Sequence, residues 1–339
     1  MKAPIQIGIL GLGRIGRLHA RNLAALPEFA ITAGVDPYLT PEKEQAARDI
    51  GIPAIGTDPE LVFADPNIEA VAILSTTETH SDFIIRAAKA GKAIFCEKPI
   101  DHNVDRILDA LRTVRETGAV LQVGFSHRFD KHHARVGALV ADGKVGDVNF
   151  VRIISRDPAP PAYEYIASSG GIFVDMMIHD FDMARFLSGS EVTEVSAAGA
   201  VLCDEMFARA DDVDTAVVTL RFANGALGVI DNSRRSGFGH DQRVEVMGSK
   251  GCLMDQNVPD TNVLYLDERG VTADPVQYFF LERYNGAFLE EMRQFAQAVR
   301  GERTPPVTGF DGLQAVLIAE AAARSWRSGK FEKVEQVSV

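Results

Sequence analysis

Asp175 and His179 are the two residues of this chain whose types and spacing most clearly suggest chemistry. They stand four positions apart in the apolar stretch 170–187, and on a helix this separation places both side chains on one face. A carboxylate beside an imidazole can orient the ring and stabilise its protonated form, as a general base requires. An aspartate and a histidine at this spacing also occur by chance, so the significance of these two residues depends on the rest of the chain.

A glycine-rich turn near the start of the chain predicts a dinucleotide site. Gly11-Leu-Gly-Arg-Ile-Gly16 follows a predicted strand and opens a predicted helix, where backbone N–H groups can hold a pyrophosphate. Asp36 ends the second predicted strand, where an acid accepts ribose hydroxyls and repels a 2′-phosphate. Pro37 and Tyr38 add no arginine, so NAD is favoured over NADP as cofactor.

Glu97-Lys98-Pro99 comes directly after the predicted strand Ala93–Cys96. In a doubly wound sheet the carboxyl ends of the strands face the ligand crevice, where a lysine can hold a substrate hydroxyl and stabilise alkoxide charge. A surface lysine before a turn proline is the plainer explanation of an isolated Lys-Pro pair, but the position after the strand favours a functional Lys98. The predicted cofactor contacts are Gly11, Gly13, Arg14, Ile15, Asp36, Ser75, Thr76, His80, Glu97 and Lys98.

The elements that must position these residues begin with a Rossmann domain. In residues 1–125 short apolar runs alternate with helical patterns, which is typical of a doubly wound parallel sheet. The predicted strands are Ile5–Leu10, Ala30–Val35, Ala70–Ser75, Ala93–Cys96 and Val120–Phe125. The predicted helices are Ile15–Leu26, Pro41–Ile50, His80–Ala90 and Val104–Glu116.

The pattern changes from residue 126 onward to strands at hairpin spacing. Helices are predicted over about 130–141, Ile172–Leu187, Glu282–Arg300 and Phe310–Trp326, and a proline-rich loop over Arg156–Ser169. The predicted strands are Val148–Ser155, Thr193–Val201, Ala216–Phe222, Leu227–Asn232 and Arg243–Met247, with a hairpin turn at Asn224-Gly225. We expect residues 126–339 to form a substrate-binding and oligomerisation domain with a large, mainly antiparallel sheet covered by helices. Its last helices are expected to pack back near the first domain.

Composition excludes several classes of partner. The chain of 339 residues is 46% hydrophobic and carries a net charge of −12, which argues against nucleic acid or an anionic membrane. The apolar runs are too short for a membrane span and no signal-peptide cleavage pattern is present, so a cytoplasmic protein is expected. Cys96, Cys203 and Cys252 are far apart and are predicted to be free, buried thiols in a reducing compartment.

His127, His132 and His133 cluster around the start of a predicted helix, with Asp130 as the nearest carboxylate. We interpret them as solvated or supporting residues rather than ligands, and predict no metal. Hydride transfer to a nicotinamide needs none.

Three motifs together resemble the Gfo/Idh/MocA oxidoreductase family: the glycine-rich turn, Cys96-Glu-Lys-Pro99 and Asp175-Met-Met-Ile-His-Asp-Phe-Asp182. The similarity covers nearly the whole chain, including Asn232-Ser-Arg-Arg235, Asp241-Gln-Arg-Val-Glu-Val246 and Phe279-Phe-Leu-Glu-Arg-Tyr284. The resemblance implies that Lys98, Asp175 and His179 are catalytic. His179 would take the hydroxyl proton, Asp175 would orient the ring and Lys98 would bind the reacting oxygen. It also implies a homo-oligomer, either a tetramer or a dimer.

Two departures from the family pattern concern the substrate. Ser126-His127-Arg128 stands where an Arg-Arg or Asn-Arg pair is usual, and Phe238-Gly239-His240-Asp241 where Tyr-Gly-Tyr-Asp is usual. Moving one hydrogen bond can change preference among polyols by orders of magnitude. Asp157 and Tyr163 are explained equally well as hydroxyl ligands or as exposed loop residues. The predicted substrate contacts are Lys98, His127, Asp157, Tyr163, Asp175, His179, Phe238 and His240.

The resemblance implies NAD-dependent oxidation of a ring secondary alcohol of a cyclitol to a ketone, with myo- or scyllo-inositol as substrate. A pyranose dehydrogenase acting on an aldose or anhydrosugar is the alternative within the family, because a sugar ring presents nearly the same hydroxyl pattern. An NAD-dependent glycosidase and a non-catalytic NAD-binding regulator are more distant alternatives. A regulator should have lost members of the catalytic set, and all three are present.

Overall fold

The computed structural model describes residues 2–337, which form two compact units. The first unit contains the chain up to Ser126 together with Ala287–Gln314. The second contains His127–Gly286 and Ala315–Val337. Among the described residues, no helix is both long enough and apolar enough to cross a membrane.

The first unit is built on a six-stranded sheet in the order β3-β2-β1-β4-β5-β6, with every neighbouring pair parallel. Its elements in chain order are β1 Ile5–Leu10, α1 Arg14–Ala25, β2 Phe29–Val35, α2 Pro41–Ile50, β3 Ala54–Gly56, α3 Glu60–Phe63, β4 Ala70–Ile73, α4 His80–Lys89, β5 Ala93–Glu97, α5 Val104–Thr117 and β6 Leu121–Gly124. The predicted Rossmann sheet is confirmed. Only β3 and α3 lack a predicted counterpart there, because each is too short to establish a periodic pattern.

The second unit is built on a seven-stranded sheet in the order β12-β11-β7-β10-β9-β8-β15. All its pairs are antiparallel except β7 with β10, so the predicted mainly antiparallel sheet is confirmed. The remaining elements in chain order are α6 Lys131–Ala141, β7 Val148–Arg156, α7 Tyr163–Ile166, α8 Gly171–Asp175, α9 Ile178–Ser188, β8 Val192–Ala200, α10 Met206–Arg209, β9 Thr215–Phe222, β10 Leu227–Ser233, β11 Asp241–Gly248, β12 Gly251–Asp255, β13 Leu264–Asp267, β14 Gly270–Ala273, α11 Phe280–Arg283, α12 Asn285–Val299, α13 Gly309–Ser328 and β15 Glu332–Lys333.

The predicted turn between β9 and β10 is confirmed. Gly225 has φ of +89°, and the N–H of Phe222 donates to the carbonyl of Ala226 at 3.0 Å to close the hairpin. This backbone conformation is one that L side chains rarely adopt, which explains the glycine.

Helix α12 supplies apolar side chains to the core of the first unit. The Phe295 ring stacks on Phe29 with centroids 6.3 Å apart and tilts against Phe95 at 5.9 Å. Met292 and Ala296 are buried in the same cluster. A segment distant in sequence therefore completes the core beneath β1, β2 and β5.

The single helix predicted over Ile172–Leu187 is wrong, because the structure has two helices, α8 and α9. The N–H of Met177 donates to the carbonyl of Ile172, five residues back, and the N–H of Asp180 to that of Met177, three residues back. The regular helical pattern of N–H to carbonyl bonds four residues back is thus interrupted between Asp175 and His179. The inference that these two residues share one helix face does not hold.

Two further predictions need correction. The helix predicted over Glu282–Arg300 is divided at Tyr284, whose buried hydroxyl donates to Gln242 Oε1 at 3.1 Å. The three cysteines are free as predicted, but only Cys96 is buried. Cys252 is exposed because β12 is an edge strand of its sheet.

Candidate active site

In the first unit, the three glycines of the predicted dinucleotide turn are required for different reasons. Gly11 has φ of +103°, and a Cβ there would lie 2.5 Å from the carbonyl oxygen of Leu74. A Cβ on Gly16 would lie 2.0 Å from the carbonyl oxygen of Gly11, so this glycine lets α1 pack against the turn. A Cβ on Gly13 would have no atom within 4 Å, which leaves open space at the start of α1 where a pyrophosphate can approach.

Asp36 lies at the end of β2 and is held by three donors. Its Oδ2 accepts from the N–H of Leu12 at 3.0 Å and from Lys43 Nζ at 3.0 Å, and its Oδ1 accepts from the N–H of Tyr38 at 2.8 Å. Burial raises the pKa of Asp36, but these donors outweigh burial and bring it below its ordinary value. Sequence reasoning missed Lys43, because nothing in its spacing shows that its side chain reaches back to β2.

Ser75, Thr76 and His80 lie after β4. The His80 ring is buried, with Nδ1 2.8 Å from the carbonyl oxygen of Pro99 and Nε2 3.1 Å from that of Ser75. Burial lowers the pKa of His80. His80 therefore connects the backbone after β4 to the backbone after β5, and so positions the segment that carries Lys98.

Glu97 at the end of β5 connects Lys98 to a buried acidic group. Its Oε2 accepts from the N–H of Lys98 at 3.1 Å, and its Oε1 lies 2.9 Å from His19 Nε2. Glu291 of α12 is fully buried, with Oε1 3.8 Å from the same His19 nitrogen. Burial, together with the charge of Glu97, raises the pKa of Glu291 well above its ordinary range. Burial therefore favours the protonated form of an acid that is packed beside the strand end that carries Lys98.

In the second unit, Asp175 at the end of α8 is held through both carboxylate oxygens. The Tyr165 hydroxyl donates to Oδ1 at 2.6 Å, and Arg234 donates to Oδ2 at 2.7 Å. Arg234 is buried and also donates to Asp157 Oδ2 at 3.4 Å. The structure thus brings Asp157 and Asp175 together through Arg234. Within the proline-rich loop it is Tyr165 that reaches Asp175, whereas the Tyr163 ring lies 4.7 Å from the guanidinium of Arg209.

His179 belongs to an aromatic group that we term the histidine cluster: His127, His133, His179 and His240 around Tyr284. His127 stacks on His179 with centroids 4.5 Å apart and on Tyr284 at 4.3 Å. His240 meets the edge of the Tyr284 ring at 5.9 Å, and its Nδ1 lies 3.7 Å from Asp157 Oδ1. The predicted substrate residues His127, Asp157, His179 and His240 therefore lie in one connected group, whereas Phe238 is 55% exposed.

His127 and His133 are both buried, which excludes the first of the two alternatives, solvated residues, and leaves the second, supporting residues. Burial lowers the pKa of His127 well below its ordinary value, with neighbouring histidines and Arg283 adding to the effect. Burial likewise lowers the pKa of His133 and of His240 to about 4. Each of these rings is therefore neutral at neutral pH and offers one donor and one acceptor.

Two groups within residues 2–337 bring histidine and carboxylate atoms within 4.8 Å of one another, as a metal ion would require. One is His19, Glu97 and Glu291; the other is Asp130, His133 and Asp255. In the second group Arg283 donates to Asp130 and lies 4.0 Å from Asp255, so a guanidinium already supplies the positive charge. In the first group His19 already contacts Glu97, and the raised pKa of Glu291 disfavours the carboxylate form that a metal ligand requires.

In the second unit, sequence reasoning also failed to assign Arg234, Tyr165 and Tyr284 to the site. Arg234 and Tyr284 lie inside motifs that suggested the family, but neither the spacing nor the composition shows which side chain turns inward. Tyr165 is two residues from Tyr163 in a loop without periodicity, so the choice between them depends on the tertiary structure.

Residues 5–125 match a family described as an oxidoreductase family with an NAD-binding Rossmann fold, and residues 133–254 match the GFO/IDH/MocA C-terminal domain. The chain is 44% identical to myo-inositol 2-dehydrogenase of Thermotoga maritima, over 98% of this chain and 99% of the relative. It is 42% identical to inositol 2-dehydrogenase of Rhizobium meliloti, over 95% of this chain and 96% of the relative. The structure of scyllo-inositol dehydrogenase from Lactobacillus casei with bound NAD(H) and scyllo-inositol superposes with a TM-score of 0.89, at 30% identity, covering 98% of this chain and 99% of that one.

Proposed function

Because this chain belongs to the Gfo/Idh/MocA oxidoreductase family, we propose that it is an NAD-dependent inositol 2-dehydrogenase that oxidises a ring CH–OH of myo- or scyllo-inositol to a ketone. The observation that carries the proposal lies in the second unit. Asp175 is fixed by Tyr165 and Arg234, and His179 is fixed by its stack on His127. A carboxylate and an imidazole in set positions provide the acid–base half of such a reaction.

In the proposed mechanism Lys98, Asp175 and His179 are the catalytic residues. NAD, when bound, accepts the carbinol hydride at C4 of its nicotinamide. The turn at Gly11, Gly13, Arg14 and Ile15 would hold the pyrophosphate and Asp36 a ribose hydroxyl. His179 would accept the hydroxyl proton, while the ammonium of Lys98 stabilises the negative charge that develops on the reacting oxygen. Asp175 would stabilise the resulting imidazolium.

The histidine cluster supports a neutral polyol as the substrate. Each neutral imidazole pairs one donor with one acceptor, and a ring hydroxyl can satisfy both. The buried cation Arg234 is already paired with the carboxylates of Asp175 and Asp157, so it offers no net positive charge to a substrate carboxylate. A pyranose presents a similar set of hydroxyls, which makes substrate choice the part of the proposal that most needs measurement.

A screen of NADH production tests the proposal. Myo-, scyllo- and chiro-inositol would be compared with glucose, xylose and anhydrosugars. We expect an inositol to be the best substrate; a better rate with glucose or an anhydrosugar would favour a sugar dehydrogenase. A glycosidase of this fold would retain NAD and release no net NADH.

Variants test the residue roles. We expect Lys98→Ala and His179→Ala to abolish turnover while NAD still binds. Lys89→Ala and His102→Ala, which change the same residue types elsewhere, should retain activity. Substantial turnover in either Lys98→Ala or His179→Ala would refute the assignment.

We further propose that the chain works as a cytoplasmic homo-oligomer, either a tetramer or a dimer. The β13–β14 hairpin supports self-association, because it exposes Leu264, Tyr265, Leu266 and Val271. Light scattering of the purified protein measures its mass in solution, and a monomer would contradict this part of the proposal.

A further inference from the structure

Lys43 supplies a positive charge to the ribose end of the cofactor site in the first unit. It lies in the first turn of α2, where its N–H donates to the Thr40 capping hydroxyl at 3.2 Å. Its side chain turns back toward β2, and Nζ donates both to Asp36 Oδ2 and to the carbonyl of Tyr38, each at 3.0 Å. The side chain is 26% exposed, so the ammonium is fixed in place yet still accessible.

The contacts of Asp36 limit what a ribose can add. An ionised carboxylate has about four acceptor positions. The N–H groups of Leu12 and Tyr38 and the ammonium of Lys43 occupy three of them. One position remains, whereas a ribose that donates both hydroxyls needs two. Lys43 must therefore leave Asp36, or one ribose hydroxyl must find another partner.

The same pair alters the electrostatic argument against NADP. An unpaired aspartate at this position repels a 2′-phosphate, but Asp36 and Lys43 together carry no net charge. The ammonium of Lys43 has three donors, of which Asp36 and the carbonyl of Tyr38 accept two, so the third can bind a phosphate while Lys43 stays beside the carboxylate.

We propose that Lys43 is a 2′-phosphate ligand that allows this protein to bind NADP as well as NAD. The proposal rests on the proposed function only in placing the cofactor ribose at Asp36. NAD remains a cofactor because it binds without needing the ammonium. NADP gains a charge-assisted contact that compensates for the nearby carboxylate.

Equilibrium binding of NADH and NADPH, followed by nucleotide fluorescence in the absence of any inositol, tests the proposal. We expect the wild type to bind both. We expect Lys43→Ala to weaken NADPH binding about tenfold or more, the loss of roughly one charged contact, and to change NADH binding by less than about threefold. Arg48→Ala, which removes an exposed cation from the same helix, is the matched control and should change neither.

Asp36→Ala provides a second, opposite test. It frees Lys43 from its partner, so NADPH should bind more tightly than to the wild type while NADH binds more weakly. No NADPH binding to the wild type, or equal losses for both nucleotides in Lys43→Ala, would overturn the proposal. A protein that binds both nucleotides but oxidises no inositol would overturn the proposed function and leave the role of Lys43 intact.

Discussion

Asp180, which adjoins His179 in α9, is predicted to make the protein less stable as the pH rises. The side chain is buried, and its Oδ2 accepts from Asn232 Nδ2 at 2.8 Å. Burial raises the pKa of Asp180 from 3.8 to about 7, against the opposing effect of the Asn232 hydrogen bond. The folded protein therefore keeps a proton that the unfolded chain has already released.

The size of the effect follows from proton linkage. Between the unfolded pKa of 3.8 and the folded pKa of about 7, the free energy of unfolding falls as pH rises, because only the folded state binds the proton. The slope is about 1.4 kcal/mol per pH unit, so the loss over the window of about three units is roughly 4 kcal/mol. Below pH 3.8 Asp180 is protonated in both the folded and the unfolded state, so the free energy of unfolding is not reduced.

Asp180→Asn preserves the size of the side chain and an acceptor for Asn232 while removing the titration. We expect the variant to exceed the wild type in stability by about 1 kcal/mol at pH 4.5 and by about 4 kcal/mol at pH 8. Urea denaturation of the full chain at pH 4.5, 6 and 8 measures this difference. Asp260→Asn, an exposed carboxylate of the same unit, is the control and should show no such trend. A difference between Asp180→Asn and wild type that stays constant across this range would refute the reasoning.

Two other substitutions are predicted to act at the sites described above. Tyr165→Phe removes the hydroxyl that donates to Asp175. Because a hydrogen bond to a charged group contributes about 1.5–3 kcal/mol, we expect kcat to fall roughly 10- to 100-fold while NAD binding stays unchanged. Steady-state kinetics with the best inositol checks this, and a change of less than about twofold would contradict it. Glu291→Gln should raise the melting temperature, with a gain that grows above pH 4.5, because burial and Glu97 raise the pKa of the folded-state acid and the unfolded chain loses its proton first. A variant less stable than wild type at every pH would instead mean that Glu291 is ionised and paired with a cation.

The fold was largely predictable from the sequence where apolar runs are bounded by turn residues. All five strands predicted in the first unit agree with the structure within two residues at each end. Gly118 ends α5 with φ of +69°, the left-handed conformation that makes glycine a recognisable helix end in the sequence. The hairpin β13–β14 was not predicted, because its residues are exposed and its side chains show no alternation of apolar and polar types.

The interruption between α8 and α9 could not be predicted, because no glycine or proline marks it. Met176 and Met177 continue the apolar pattern through the break. The side chains on either side of the break are instead held by hydrogen bonds from another part of the chain. Asn232 of β10 donates to Asp180, and Arg234, just after β10, donates to Asp175. These are tertiary contacts between residues more than 50 positions apart, and they override the local preference for a continuous helix.

The break changes how the acid–base pair must be understood. Spacing alone suggested that Asp175 fixes the imidazole of His179 from one turn away, but each residue is positioned by a different set of neighbours. Tyr165 and Arg234 fix the carboxylate, and His127, itself stacked on Tyr284, fixes the plane of the His179 ring. His127 lies in the segment Ser126-His127-Arg128, where the sequence departs from the family pattern. A substitution at position 127 therefore acts on a proposed substrate contact and on the orientation of the proposed base, so substrate preference and turnover should change together at this position.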